Sequence, residues 1–234
     1  MTSRPSRSAT PGGLIVAIDG PSGAGKGTVA RGVAARLNFR HVDTGAMYRA
    51  VAWKALRDGI DLHDEDAVAA LGMRATFDLQ AGRVVIDGHD VARAIRTPEI
   101  DAAATAVARH PAVRTVLVRR QRELGRGGAI VMEGRDIGTV VFPDADVKIY
   151  LDASPEERAR RRAADPAHAA SEGQALTEIA TALAERDRSD STRAASPLTR
   201  AADAIVIDTT GIPIDAVVER ILTIVAARRG DEKR

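Results

Sequence analysis

Short apolar runs alternate with longer amphipathic stretches along most of the chain. "LIVAID" (14–19) is an unbroken β-branched run of the kind that fills a parallel strand buried on both faces. "GTVARGVAARL" (27–37) then predicts a helix, "FRHVD" (39–43) a second strand, and "TGAMYRAVAWKALRDG" (44–59) a helix stopped by Gly59. The rhythm breaks between about 62 and 113. There "DEDAVAALGMRA" predicts a short helix, "TFDLQAGRVVIDGHDVA" a small antiparallel hairpin unit, and "TPEIDAAATAVARH" a helix with Thr97 as N-cap and Pro98 at its first position. The first pattern then returns: helix "PAVRTVLVRRQREL", strands "AIVMEG" and "VKIYLD", helix "SPEERARRRAAD", a helix over 174–190, strand "AIVIDT" and a helix over 213–228. Strands alternating with helices predict an α/β fold, a parallel sheet with helices on both faces, carrying an inserted lobe with a small antiparallel sheet.

Composition narrows this picture. The 234 residues suit one core with insertions, and with aromatics at only 3% that core must be aliphatic. The lack of cysteine excludes disulfides and thiolate metal sites and agrees with a reducing, cytoplasmic setting. The apolar runs are too short to span a bilayer, and "MTSRPSRSATPGG" has no apolar segment of signal-peptide type, so residues 1–12 are expected to be a disordered tail. A net charge of +2 gives little support to a nucleic-acid partner. No nucleic acid, no membrane and a monomer are the expectations. The histidines show no metal-ligand spacing.

Between the first strand and the first helix stands "GPSGAGKGT": Gly20, Pro21, Ser22, Gly23, Ala24, Gly25, Lys26, Gly27 and Thr28. This is the context of a phosphate-binding loop, whose backbone N–H groups curl around phosphate oxygens while the lysine reaches the terminal phosphates. The fold is therefore expected to be of P-loop NTPase type, with Mg²⁺ arriving with a nucleoside triphosphate. Gly27 stands where serine or threonine is usual, and Thr28 follows one place later, so the hydroxyl that would serve Mg²⁺ is left open. No residue is assigned as a direct metal ligand, and Asp19 and Asp43 could orient Mg²⁺-bound water or merely cap turns.

The basic residues are nearly all arginine. Arg49, Arg135, Arg158, Arg161, Arg162, Arg186 and Arg193 fall where loops and helix ends converge over the carboxyl edge of the sheet. An acceptor that is itself a phosphate is largely ionised at neutral pH, so its obstacle is charge repulsion and not proton removal. Fixed guanidinium groups meet that demand, which favours a small kinase that transfers phosphate to phosphate. In "RDRSDSTR" (186–193), Arg186, Asp190 and Arg193 at i, i+4 and i+7 are expected on one helix face.

The stretches "IDGPSGAGKGT", "DTGAMYRA", "IRTPEI", "EGRDIGTVVFPDADVKIYLDAS" and "RDRSDSTRAASPLTRAADAIVIDT" occur in order from residue 18 to 209. By them the chain closely resembles the bacterial cytidylate kinases, within the nucleoside monophosphate kinases. The resemblance implies transfer of the γ-phosphoryl of ATP to CMP and dCMP. It implies catalytic roles for Lys26, Arg135 and Arg193 and contact of Arg158 and Arg162 with ATP. Cytosine contacts fall on Thr105, Arg114 and Asp136, the acceptor phosphate on Arg49, Arg135 and Arg193, and the ribose on Arg186 and Asp190. Thr44, Tyr48 and Arg96 would complete the acceptor pocket. The core is expected at about 13–45, 114–153 and 174–230, the monophosphate-binding lobe at 46–113 and a lid at 154–173.

Overall fold

A computed structural model describes residues 13–79, 82–165 and 175–231. The tail expected over 1–12 and the second half of the expected lid lie outside the described residues. Five parallel strands form the core sheet: β1 (Ile15–Asp19), β2 (Arg40–Asp43), β6 (Ile130–Gly134), β7 (Val147–Asp152) and β8 (Ile205–Asp208), in the order β2-β6-β1-β7-β8. Three two-residue strands, β3 (Phe77–Asp78), β4 (Val85–Ile86) and β5 (His89–Asp90), make the small antiparallel sheet. The helices are α1 (Lys26–Leu37), α2 (Thr44–Arg57), α3 (Glu65–Arg74), α4 (Pro98–Val107), α5 (Pro111–Gly125), α6 (Pro155–Ala163), α7 (Leu176–Thr192) and α8 (Ile214–Asp231).

The sheet is buried from both sides, as its apolar runs required. Val16 and Ile18 of β1 face a cluster built with Val29 and Val33 of α1 and Val217 and Ile221 of α8. Ile15 and Ala17 point the other way, into a cluster with Val118 of α5, Met132 and Ile137. The two-residue period of a strand thus serves two cores. The inserted lobe has its own, in which Met47, Val51, Val68, Leu71, Val107 and Leu117 join α2, α3, α4 and α5.

Because all five strands are parallel, their carboxyl ends lie at one edge, where α/β sheets bind ligands. Central β1 runs directly into the phosphate-loop sequence, and β6 into Arg135 and Asp136. Two helix starts follow local rules: Thr97 Oγ1 accepts from Ile100 N–H at 3.2 Å with Pro98 at the first position, and Ser154 Oγ accepts from Glu157 N–H at 3.2 Å.

Two features were not expected. Residues Ile137–Val141 form a single π-helical turn, held by Asp19, whose carboxylate accepts from Ile137 N–H at 2.8 Å and Gly138 N–H at 2.7 Å. Helix α7 runs to Thr192 and stops, leaving Arg193 as its C-cap with φ −65° and ψ 143°. With its helical φ, Arg193 still projects from the same side of α7 as Asp190, which it meets at 3.2 Å, and with Arg186 the three line one cavity wall. The chain turns back at Ser196, with Leu198 N–H donating to Asp190 O at 2.8 Å, and this turn ends the helix.

Candidate active site

A cavity of about 930 Å³ opens along the carboxyl edge, walled by Ser22–Val29, the start of α2, α4, β6 with Arg135 and Asp136, α6, α7 and Thr209–Val217. The loop closing its floor needs its glycines. A side chain on Gly20 would collide with the Leu151 carbonyl, and Gly23 and Gly25 adopt φ of 79° and 88°. Lys26 is buried, and its Nζ donates to Pro21 O at 2.6 Å. Burial, with Arg135 nearby, pushes its pKa from 10.5 down to about 7. Gly20 and Pro21 shape the loop from behind and do not line the cavity.

A relay of alternating charges crosses the site. Arg135 Nη2 donates to Ser22 Oγ at 2.7 Å and its Nε to Asp190 Oδ2 at 2.9 Å. Asp190 Oδ1 accepts from Arg193 Nη1 at 3.2 Å, and Arg193 Nη2 lies 3.9 Å from Asp136. Asp136 pairs with Arg114, whose guanidinium stands 5.4 Å over the Tyr48 ring. Arg114 and Asp136 side chains are 3% and 7% exposed, so this pair exists in a low-dielectric interior. Burial alone would raise the Asp190 pKa, but Arg135, Arg193 and Arg186 outweigh it and hold the carboxylate ionised.

Beside the relay, Asp43 Oδ1 caps α2 through Ala46 N–H at 2.9 Å, and its Oδ2 takes Arg49 at 2.8 Å with Arg96 3.7 Å away. Burial opposes that charge, yet the two arginines keep the Asp43 pKa well below the usual carboxylate range. Thr44 Oγ1 donates to Glu133 O at 2.7 Å. Thr105 lines the cavity while its hydroxyl donates to Asp101 O at 2.9 Å. Asp19 and Asp43 thus have their oxygens engaged by backbone and arginine, which makes them structural anchors.

Apart from Gly20 and Pro21 at the back of the loop, the expected residues gather on one cavity with one exception. Arg158 does not reach the cavity wall: it lies behind the loop, donating to Ser22 O at 3.1 Å and pairing with Asp187, which itself accepts from Ser22 N–H at 2.9 Å. Helix α6 packs so close that Gly23 admits no Cβ against Arg158. The arginines of α6 on the wall are Arg161 and Arg162. Arg161 is fixed by Glu157 at 2.8 Å and by the Thr209 hydroxyl and carbonyl at 2.9 and 2.6 Å.

Two groups went unnoticed in the sequence. Glu133, the fourth residue of β6, is buried beside His41 Nε2 at 3.0 Å, and a Cβ on Gly27 would stand 3.2 Å from its Oε1. The carboxylate therefore faces the position where the usual P-loop hydroxyl would be. It suits a hard cation shared with phosphate oxygens. Its place near the end of a strand adjoining the loop strand was the available signal. Ile212 and Ile214, 37% and 49% exposed, also line the cavity.

The sequence profile described as "Cytidylate kinase" matches residues 16–227. The chain belongs to the cytidylate kinase family. A cytidylate kinase of Solibacter usitatus is 51% identical over 92% of this chain and 93% of its own, and one of Pelotomaculum thermopropionicum is 50% identical over 92% and 96%. An uncharacterized protein from Eubacterium ventriosum shares the fold at 12% identity, with a TM-score of 0.50 over 91% of this chain and 98% of that one. The phosphate-loop sequence and the arginine-rich segment at 186–193 lie within the matched residues and meet at the cavity. Among the described residues, no helix is long and apolar enough to cross a membrane.

Proposed function

We propose that the protein transfers the γ-phosphoryl group of ATP to CMP and dCMP, giving ADP and CDP or dCDP. The observation that carries this reading is the relay Ser22–Arg135–Asp190–Arg193–Asp136–Arg114. It joins the triphosphate loop to a buried Arg–Asp pair of the type that reads a base edge. Cytosine offers an amino donor beside ring acceptors, and a carboxylate next to a guanidinium matches that order.

Two anions must meet end to end, and the site supplies cations for both. Lys26 and the loop amides take the donor phosphates, while Arg49, Arg135 and Arg193 take the acceptor phosphate. Arg193 Nη2 makes no hydrogen bond to the described residues, which leaves a donor for that phosphate. Arg186 and Asp190 hold the ribose. In-line transfer through a loose transition state spreads charge over the equatorial oxygens, and fixed guanidinium groups need no reorganisation to meet it. Ile212 and Ile214 offer the donor base an apolar ledge. Mg²⁺ entering with ATP would be held by Glu133 with the phosphate oxygens, and it supplies positive charge against the β- and γ-phosphates. The lobe at 46–113 would carry the acceptor and the lid at 154–173 would exclude water.

A coupled ADP-release assay across CMP, dCMP, UMP, AMP and shikimate-like alcohols tests this. Rapid release with CMP and dCMP is expected. Silence toward both, with turnover of another acceptor, would overturn it.

A further inference from the structure

One carboxylate in the cavity wall has no role in this scheme. Asp101 stands one turn before Thr105 on α4, in the acceptor lobe. Its Oδ2 lies 3.2 Å from Nη1 of Arg162, on α6, and 3.2 Å from Nη1 of Arg186, on α7. All three side chains are mostly buried, with exposures of 15–18%. Of the charges around Arg186, that of Asp101 counts most in opposing the loss of basicity that burial imposes. Helices α6 and α7 are joined by an apolar cluster of Ala159, Ile179 and Leu183, so Asp101 ties the lobe to both at once.

We propose that Asp101 is a positioning residue that couples the two substrate sites: its carboxylate aims Arg186 at the acceptor ribose and holds Arg162 until a triphosphate takes it. The inference rests on the cytidylate kinase reading of the cavity. Its sign follows from charge. With both guanidinium groups on one carboxylate, each is only partly neutralised. Drawing Arg162 to a phosphate oxygen removes a cation that competes for the carboxylate, so Arg186 is held more firmly where the sugar needs it. Bound donor should tighten acceptor binding, and by linkage the acceptor should tighten the donor by the same factor.

Calorimetric titration of CMP, with and without saturating Mg²⁺ and the β,γ-imido analogue of ATP, reads this directly. The wild-type protein is expected to bind CMP about fivefold or more tightly when the analogue is present. Asp101→Asn should bring that ratio to within about twofold of one, whereas Asp101→Glu, which keeps the charge, should retain most of it. Arg162→Gln gives a second route and should lose the same coupling with Asp101 intact. The proposal fails if the wild-type protein shows no coupling, if Asp101→Asn or Arg162→Gln keeps the wild-type ratio, or if Glu and Asn lose it alike. Failure of CMP to bind the wild-type protein at all would instead overturn the cytidylate reading.

Discussion

The two ends of the cavity handle positive charge in opposite ways. Each arginine of the relay faces a carboxylate, Arg135 and Arg193 sharing Asp190 and Arg114 having Asp136, and beside the relay Arg49 has Asp43. At the donor end Lys26 makes no ion pair among the described residues and rests on the Pro21 carbonyl. Guanidinium groups keep their charge at any accessible pH, so burying several of them demands counter-ions. An ammonium can shed its proton when buried, and Lys26 is pushed far enough down to do so near neutrality. The arginines of the cavity are thus preorganised by internal pairing, whereas Lys26 is the group that would take up its full charge with a ligand.

The sharpest way to break this contrast is to remove a counter-ion. Asp136→Ala leaves Arg114 charged, buried and unpaired, and should lower the unfolding free energy by about 3–5 kcal/mol in a urea titration. A loss below about 1 kcal/mol would mean that the acceptor-end pairing is not needed to bury the arginine.

Catalysis should respond at both ends but through different parameters. Lys26→Ala should lower kcat by about 10²–10³-fold. Arg193→Ala should lower kcat/KM for CMP to a similar degree with KM for ATP changed less than about threefold. Initial rates at varied CMP and ATP would measure the split, and an Arg193→Ala enzyme of wild-type rate would exclude its assigned role.

Stability should respond in the other direction at the donor end. Lys26→Met removes an unpaired buried charge and should stabilise the protein at pH 7 by on the order of 1–3 kcal/mol. The sign of its pH dependence is set by the folded value of about 7 lying below the ordinary 10.5. Between those values the unfolded chain holds a proton that the folded protein does not, so wild-type stability rises with pH across that window. The variant lacks this rise, and the gap between the two should close by roughly pH 10. A gap that widens with pH would reverse the argument.

The smallest effect is the most direct. Triphosphate bound near pH 8 should draw up to about one proton onto Lys26, seen as a binding enthalpy that scales with the ionisation enthalpy of the buffer. Identical enthalpies in phosphate and Tris would show that Lys26 is already protonated when empty.

Local signals made much of this legible in advance. The run at 14–19, the glycine turn after it and the arginine-rich segment at 186–193 each carry their chemistry within a few residues, and the last two meet at the cavity. The Thr97 cap was equally readable because a hydroxyl and a backbone N–H three residues apart settle it. Arg158 could not be assigned this way. Nothing near it in the chain says that Asp187 and the Ser22 carbonyl stand behind it, whereas Arg162 one turn later reaches the wall. Glu133 escaped for the same reason, since its meaning lies in facing Gly27 and His41 from a neighbouring strand.

By itself, then, the order of residues determined the element types, the parallel core, the phosphate loop and the family, because periodicity, turn chemistry and motif spacing are properties of adjacent positions. Only the tertiary structure decided which charge neutralises which. Ion pairs between the segment after β6, α4, α5, α6 and α7 join residues tens of positions apart, and their strength depends on burial and on distances of a few ångströms that no local pattern encodes.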